Sequence, residues 1–213
     1  GSFLVEYDYK SMEVMIMACY SKDKNLINYL LDKNSDMHKD IAKQIFVKEE
    51  ITKEERFLAK NGFVFPVFYG SYYKQTAPVI WEQMNEESRD HLKQKGIDNL
   101  DKFTKHIEKV ENDFWYNRFN DILKWKKEQW DFYLRNGYVE LKTGFRCSGP
   151  MGWKEVVNYP IQGTAFHCLL WTLIKVNKQM NRKKMQSKII GQIHDAIVID
   201  VVPGEEKEID YLV

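Results

Sequence analysis

Two mostly apolar stretches, far apart in the chain, have the composition of β-strands. Residues 3–9 are apolar and aromatic up to Asp8, and residues 189–202 place Ile and Val on both sides of the polar pair His194 and Asp195. β-branched and aromatic residues favour strands, and a polar pair between two such runs favours a tight turn. The pattern therefore predicts a strand that ends at Asp8 and a hairpin whose turn holds His194 and Asp195.

Helical spacing of apolar positions dominates the rest of the chain. A first helix begins at Met12, Asp36 caps another, and Thr52 with Glu55 forms a capping box, the clearest helix start in the sequence. Further predictions are a charged, mostly helical stretch over 71–110 with a break at Gly96, an aromatic-rich helical stretch over 114–138, a hairpin over 137–145, a helix that starts at Pro160, and a basic loop over 178–188. The aromatic side chains are expected to pack a helix face, and a platform for stacked bases is the alternative. Few strands among many helices indicate the α+β class.

Composition excludes some classes of protein and leaves others open. The 213 residues are long enough for one large domain or two small ones, with 44% hydrophobic and 30% charged residues. The net charge of +1 means that any nucleic-acid surface must be local. Three cysteines without metal spacing indicate reduced thiols, and no apolar run approaches a membrane span. We expect a protein of a cytosol-like compartment with no membrane partner.

The two strand predictions bring a pair of carboxylates together. If the first strand packs beside the hairpin, Asp8 and Asp195 meet at one edge of the sheet. Two close carboxylates repel unless a cation neutralises them, and hard oxygen ligands select Mg²⁺ or Mn²⁺. This is the layout of a two-metal site for phosphoryl transfer.

The helix after Thr52 carries two cations on one face. Arg56 and Lys60 are four residues apart, so their side chains are neighbours. They can form a solvated stripe, or they can bind a triphosphate, Arg as a bidentate donor and Lys as a point charge. Spacing alone leaves both interpretations open.

Five segments in a fixed order carry a family resemblance. They are 8–13 (DYKSME), 36–38 (DMH), 56–70 (RFLAKNGFVFPVFYG), 158–165 (NYPIQGTA) and 192–195 (QIHD). Together they resemble the motifs of the family A DNA polymerases, the bacterial DNA polymerase I type with many phage members. The resemblance covers nearly the whole chain, and it implies a cytoplasmic protein of a bacterium or a phage-infected host.

The resemblance implies an architecture. It is the α+β right-hand polymerase fold, with an antiparallel palm sheet and a mainly helical fingers subdomain. The expected boundaries are palm over 1–20, fingers over 21–135 and palm again over 136–213. The thumb and the N-terminal part of the palm are expected to be absent, so we expect a C-terminal catalytic portion, excised or a split subunit, that needs another chain or segment to supply them.

The resemblance also implies roles for individual residues in template-directed DNA synthesis. Asp8, Asp195 and the backbone carbonyl of Tyr9 would hold two Mg²⁺ ions, for which Mn²⁺ can substitute. The residues implied in binding deoxynucleoside triphosphates are Tyr9, Glu13 as steric gate, His38, Arg56 and Lys60 on the phosphates, Phe65 by stacking, and Tyr69 at the template-base pocket. Lys60 is also implied as a catalytic proton donor to pyrophosphate. The residues implied in binding primer–template DNA are Lys154, Asn158, Gln162 and His194.

One departure from the family makes a structural prediction. The spacing from Lys60 to Phe65 is five residues where the family has four. In a regular α-helix Pro66 would clash with the carbonyl of Gly62. We therefore expect a π-bulge or a kink between Gly62 and Pro66, which absorbs the extra residue and relieves the clash. Phe65 and Tyr69 then take the two aromatic positions of the motif, whereas strict family spacing would place Val64 and Phe68 there.

Two other functions compete with DNA synthesis. A related single-subunit RNA polymerase would incorporate ribonucleotides at parity, which Glu13 as gate and His38 argue against. A non-catalytic DNA-binding or assembly subunit would not need the paired carboxylates Asp8 and Asp195.

Overall fold

The computed structural model describes residues 1–9 and 11–213. The strands are β1 (Phe3–Asp8), β2 (Tyr138–Glu140), β3 (Arg146–Ser148), β4 (Lys188–Ile193) and β5 (Ala196–Val201). The α-helices are α1 (Met12–Ser21), α2 (Lys24–Leu31), α3 (Met37–Phe46), α4 (Lys53–Leu58), α5 (Phe65–Phe68), α6 (Tyr73–Gln83), α7 (Glu86–Gln94), α8 (Leu100–Asn112), α9 (Asn120–Asn136), α10 (Trp153–Arg182) and α11 (Glu206–Leu212). Two π-helical segments, Ala59–Val64 and Asp113–Arg118, follow α4 and α8. The many helices and small antiparallel sheets confirm the α+β class.

The chain divides into two compact units. One unit, here the sheet unit, consists of Gly1–Met17, Tyr138–Ser148 and Tyr159–Val213. The other, here the helical unit, consists of Ala18–Gly137 and Gly149–Asn158. Within the residues that the structure describes, no helix is long and apolar enough to cross a membrane.

The sheet unit is built on a three-stranded antiparallel sheet in the order β1-β5-β4. Both predicted elements, the strand that ends at Asp8 and the terminal hairpin, are confirmed and pair with each other. Val5 and Tyr7 point to the core, whereas Leu4, Glu6 and Asp8 alternate to the other face and are exposed. The period of two along β1 thus separates a packed face from a face that is open to ligands.

Helices α10 and α11 supply the apolar surface that buries the packed face of this sheet. The core consists of Leu169, Val176, Met180, Ile197, Ile199, Val201 and Ile209. Burying one such side chain stabilises the fold by about 1.5–3 kcal/mol before entropy is counted. This core fixes the edge at which β1 and the β4–β5 turn end.

The helical unit confirms the predicted aromatic packing and the capping box. The side chains of Phe114, Trp115, Phe119 and Trp125 are buried, whereas Tyr116 is exposed. The Thr52 hydroxyl accepts the N–H of Glu55, and the Glu55 carboxylate accepts the N–H of Thr52. The predicted break at Gly96 is also confirmed, because α7 ends at Gln94 and Gly96 has a φ of +84°.

The predicted π-bulge is present. A π-helical segment over Ala59–Val64 separates α4 from α5, and the N–H of Phe65 donates to the carbonyl of Lys60 five residues earlier. The wider turn relieves the clash that the ring of Pro66 would make with the carbonyl of Gly62 in regular α-helix geometry.

Two predictions about the later part of the chain are wrong. Helix α10 begins at Trp153, so Pro160 lies inside it and does not start it. Val156, Val157 and Ile161 are buried around the proline, and burial of this continuous apolar face outweighs the local cost of proline. The stretch over 178–188 is not all loop either, because α10 continues to Arg182 before β4 begins at Lys188.

Candidate active site

The two carboxylates that the sequence predicts to hold metal, Asp8 and Asp195, lie at one end of the three-stranded sheet. Asp8, the last residue of β1, lies opposite Ala196 in the ladder, and Asp195 precedes Ala196 in the β4–β5 turn. His194 has a φ of +52°, the left-handed conformation that a two-residue hairpin turn requires. Asp8 is exposed and Asp195 is partly exposed. Both side chains are therefore at the same end of the sheet and accessible to a ligand.

Glu13, in the first turn of α1, belongs to the same acidic environment. Burial, together with the nearby Asp195 carboxylate, raises the pKa of Glu13 above its ordinary value. A half-buried carboxyl next to a second carboxylate adds negative potential at this end of the sheet.

The donors at this edge fit a hard divalent cation. Across residues 1–9 and 11–213, no group of three or more His, Cys, Asp or Glu side chains is arranged to hold a metal. Mg²⁺ commonly takes only one or two protein carboxylates and completes its shell with water and substrate phosphates. No described side chain makes an ion pair with Asp8 or Asp195, so both carboxylates are available to a cation.

Neighbouring side chains of the sheet unit support this edge. The hydroxyl of Tyr9 is hydrogen-bonded to Thr172 Oγ1 of α10 at 2.6 Å, which fixes the residue that follows Asp8. Gln192 Nε2 donates to the carbonyl of His194 at 3.1 Å and steadies the turn. His194 and Gln162, both predicted to contact DNA, are exposed.

In the helical unit, an ion pair ties the start of α3 to α4. Arg56 Nε donates to Asp36 Oδ2 at 2.8 Å, while Asp36 Oδ1 accepts the N–H of Lys39 at 3.0 Å and caps α3. The sequence identified Asp36 as a helix cap and as part of the 36–38 segment, and its ion pair with Arg56 was missed. A pair that is 20 residues apart leaves no local pattern by which it could be found.

His38, in the first turn of α3, is held neutral. Burial and the positive charges of Arg56 and Lys60 lower the pKa of His38 to about 4, although Asp36 acts in the opposite direction. Its ring meets the ring of Phe65 edge-on, with 5.7 Å between centroids. His38 Nδ1 is buried and has no hydrogen-bond partner within the described chain.

The π-helical segment aligns Lys60 with Phe65. Lys60 Nζ lies 5.2 Å from the centroid of the Phe65 ring, and Phe65 contacts Tyr69 at 6.4 Å between centroids. Contacts and charge thus link one cluster of cations and aromatic rings, which consists of His38, Arg56, Lys60, Phe65 and Tyr69. Such a cluster can bind phosphates through its cations and a planar base through its rings.

Two residues predicted to bind DNA contact the end of this helical segment. Asn158 Nδ2 donates to the carbonyl of Tyr69 at 3.2 Å, and Lys154 Nζ lies 3.3 Å from Ser71 Oγ and 3.4 Å from Gln75 Oε1. Gly70, which lies between Tyr69 and Ser71, has a φ of +87°, and a Cβ at this position would lie 3.3 Å from Trp153 Nε1. No sequence pattern pointed to Ser71 or Gln75.

Comparison with known proteins defines the class of this fold. The structure is similar to that of the POL domain of Pol1 from M. smegmatis, which was solved in complex with DNA primer-template and dNTP. The TM-score is 0.73 at 22% sequence identity, and the match covers 100% of this chain and 35% of that chain. The fold is therefore that of a DNA polymerase I polymerase domain.

The sequence then identifies the family. The family profile of DNA polymerase family A matches residues 1–213, and the chain belongs to that family. Relatives include the DNA polymerase of Bacillus phage SP01 (26% identical over 98% of this chain and 22% of its own length) and DNA polymerase I of Aquifex aeolicus (28%, over 98% and 34%). DNA polymerase I of Caldicellulosiruptor bescii is 30% identical over 98% of this chain and 23% of its own length. The chain thus spans between about a fifth and a third of the length of these relatives.

Proposed function

We propose that this chain carries catalytic residues for template-directed DNA synthesis, in which deoxynucleotides are added to a primer 3′-hydroxyl by two-metal phosphoryl transfer. The observation that carries the proposal is the placement of Asp8 and Asp195 at one end of the sheet in a member of DNA polymerase family A. Paired metal carboxylates serve phosphoryl transfer and are not needed for DNA binding alone.

In this proposal Asp8, Asp195 and the carbonyl of Tyr9 hold two Mg²⁺ ions, and Mn²⁺ can replace them. When bound, the ions activate the primer 3′-hydroxyl and neutralise charge on the leaving pyrophosphate. The carboxylates of Asp8 and Asp195 supply the fixed negative charge that retains the cations. The hydrogen bond from Tyr9 to Thr172 supports this role, because it restrains the backbone next to Asp8.

The cluster around Arg56 receives the deoxynucleoside triphosphate. Arg56 and Lys60 bind its phosphates, His38 joins them, and Lys60 donates a proton to the departing pyrophosphate. Phe65 stacks near the nucleotide and Tyr69 guards the template-base pocket. Support comes from the ion pair of Arg56 with Asp36, which orients the guanidinium before the ligand arrives.

Glu13 acts as the steric gate that excludes a ribose 2′-hydroxyl. Lys154, Asn158, Gln162 and His194 contact primer–template DNA. The exposure of Lys154, Gln162 and His194 supports this assignment, since phosphate and minor-groove contacts need accessible donors.

Full activity also requires the parts of a family A polymerase that lie outside the matched region, whether they are on the same chain or another. We expect these parts to supply the thumb and the N-terminal palm. Helix α10 offers a surface for them, because it buries one face against the sheet and leaves large apolar side chains exposed on another: Phe166 (49%), Leu170 (37%), Trp171 (55%) and Ile174 (43%). The proposal includes a cytoplasmic location, which the free state of the three cysteines supports.

Metal-dependent primer extension tests the proposal. The chain is assayed alone and together with the remaining portion of a family A polymerase, with deoxynucleotides and with ribonucleotides. We expect Mg²⁺-dependent deoxynucleotide addition in the completed enzyme and little by the chain alone. Ribonucleotide addition at parity would instead identify an RNA polymerase, and DNA binding without any extension would identify a non-catalytic subunit.

A further inference from the structure

A lysine of the helical unit is buried although the proposed chemistry does not use it. Lys126, on α9, is only 3% exposed, and its Nζ donates to the carbonyl of Val67 at 3.0 Å. Lysine is almost never buried without a partner, because desolvating an ammonium group is costly. The contact with Val67 is therefore a specific one.

Two neighbours of Lys126, Trp115 and Glu111, offset part of the cost of burying its ammonium group. Its Nζ lies 4.4 Å from the centroid of the Trp115 ring, in the second π-helical segment. Burial lowers the pKa of Lys126 to about 7, and the negative charge of Glu111 opposes that decrease. Burial likewise raises the pKa of Glu111 to about 7, and Glu111 Oε2 is buried without a hydrogen-bond partner in the described part of the chain.

Val67 lies in α5 between Phe65 and Tyr69, at the end of the segment that carries the proposed nucleotide ligands. Its carbonyl also accepts the N–H of Gly70 at 3.2 Å, and the N–H of Tyr69 bonds to the carbonyl of Phe65 at 3.0 Å. The carbonyls at a helix C-terminus lack intrahelical donors and carry partial negative charge. A cation that hydrogen-bonds there holds the last turn in one conformation.

We propose that Lys126 is a positioning residue, which clamps the C-terminal turn of α5 through Val67 and thereby holds Phe65 and Tyr69 in place for the incoming nucleotide. This inference rests on the proposed function. Lys126 touches neither nucleotide nor metal in this role and acts only through the backbone of α5.

The structure distinguishes positioning from simple packing. A methionine at 126 would fill a similar volume without the cost of burying an ammonium group, and Glu111, whose pKa is raised to about 7, can take up a proton and so does not remain as a buried unpaired charge. The Val67 carbonyl would keep its bond to Gly70. If Lys126 is a positioning residue, Lys126→Met should leave the global free energy of unfolding almost unchanged and loosen only the end of α5. If Lys126 only packs, the same replacement should change the global free energy of unfolding without a separate effect on α5.

Hydrogen exchange of the full chain, without any ligand, tests the clamp directly. In Lys126→Met, amides over 65–71 should exchange about tenfold faster, as expected for the loss of one charge-assisted hydrogen bond, while α7 exchanges at the wild-type rate. Lys126→Arg should restore slow exchange. The matched control is Lys124→Met on the same helix, because Lys124 makes only an exposed ion pair with Asp121.

Single-nucleotide incorporation by the completed polymerase tests the consequence for substrate. The KM for the deoxynucleotide should rise about tenfold in Lys126→Met with kcat changed by less than about threefold, and Lys126→Arg should recover most of the loss. Exchange over 65–71 within twofold of wild type, or an unchanged KM, would overturn the inference. If wild type neither binds nor incorporates nucleotide, the proposed function fails, and the exchange result still decides the clamp. Lys126→Gln replaces Lys126→Met if the latter does not fold.

Discussion

Asp8 lies directly opposite Ala196 in the antiparallel ladder between β1 and β5, so that Asp195, the residue before Ala196, shares its end of the sheet. Burial of the opposite sheet face against α10 and α11 fixes this register, since a shift by one residue would turn Val5 and Tyr7 out of the core. Packing that is remote from the site thus determines where the two carboxylates lie.

Replacing Asp195 should abolish catalysis without weakening the binding of DNA. We expect Asp195→Asn to lower the rate of primer extension by the completed polymerase by about a thousandfold, the upper range for loss of one charge-stabilising group. Its affinity for primer–template, measured by fluorescence anisotropy, should change by less than about threefold. Asp200→Asn is the matched control, because Asp200 lies on β5 opposite Leu4, at the other end of the ladder from Asp195. Comparable losses in both variants would contradict a metal role for Asp195.

The low pKa of His38 predicts a pH-dependent stability. The pKa is about 4 in the folded chain and 6.5 is the ordinary value, so between these pH values the unfolded chain binds more protons. The free energy of unfolding should therefore rise with pH from 4 to 6.5 and fall as the pH is lowered through that window. Denaturant titrations should show a smaller pH dependence of the free energy of unfolding in His38→Gln than in wild type, and an unchanged pH dependence would contradict the low pKa of His38.

The same histidine should report nucleotide binding. A triphosphate next to Arg56 and Lys60 offsets their positive charge and favours the protonated imidazole, so the pKa of His38 should rise when the nucleotide binds. Nuclear magnetic resonance titration of the His38 ring, with and without a deoxynucleoside triphosphate, measures this change. If the pKa of His38 stays near 4 in the complex, the phosphates do not bind next to Arg56 and Lys60.

Gly62, inside the first π-helical segment, should not tolerate a side chain. A Cβ at this position would lie 2.7 Å from Ile80 Cγ1, and Ile80 is fully buried. We expect Gly62→Ala to lower the free energy of unfolding by about 1–3 kcal/mol, as measured by chemical denaturation. In Gly191→Ala, where no atom lies within 4 Å of the added Cβ, the change should stay within about 0.5 kcal/mol. Equal effects in the two variants would show that the contact with Ile80 is unimportant.

Glu13 should control the choice of sugar. Glu13→Ala should increase the ratio of ribonucleotide to deoxynucleotide incorporation by about tenfold or more, because the space that its side chain fills becomes available to a 2′-hydroxyl. Glu6→Ala, which removes an exposed carboxylate from β1, is the control. Competitive single-nucleotide incorporation measures the ratio. An unchanged ratio in Glu13→Ala would contradict the role of Glu13 as steric gate.

Local sequence patterns were enough for the elements that carry the candidate site. β-branched and aromatic composition predicted β1, and the same composition around a polar pair predicted the β4–β5 hairpin. The π-helical segment was predicted from the extra residue between Lys60 and Phe65 relative to the family, together with the position of Pro66. Contacts between distant residues could not be predicted in this way. Arg56 pairs with Asp36, and Lys126 binds the carbonyl of Val67 from 59 residues away, through packing that no spacing rule encodes.

Pro160 shows that a local sequence preference can also predict a helix boundary wrongly. Its local preference predicted a helix start, yet α10 begins at Trp153, because burial of Val156, Val157 and Ile161 extends the helix through the proline. Tertiary packing decides such boundaries, and a single sequence does not contain the partner surfaces that provide it.

Binding of Mn²⁺, followed by water-proton relaxation in the presence of a deoxynucleoside triphosphate and primer–template, tests the metal role of Asp8 and Asp195 most directly. The wild-type polymerase should bind Mn²⁺ with an affinity that falls by at least about tenfold in Asp8→Asn and in Asp195→Asn, while Asp200→Asn binds as wild type does. Wild-type affinity in both Asp8→Asn and Asp195→Asn would contradict it.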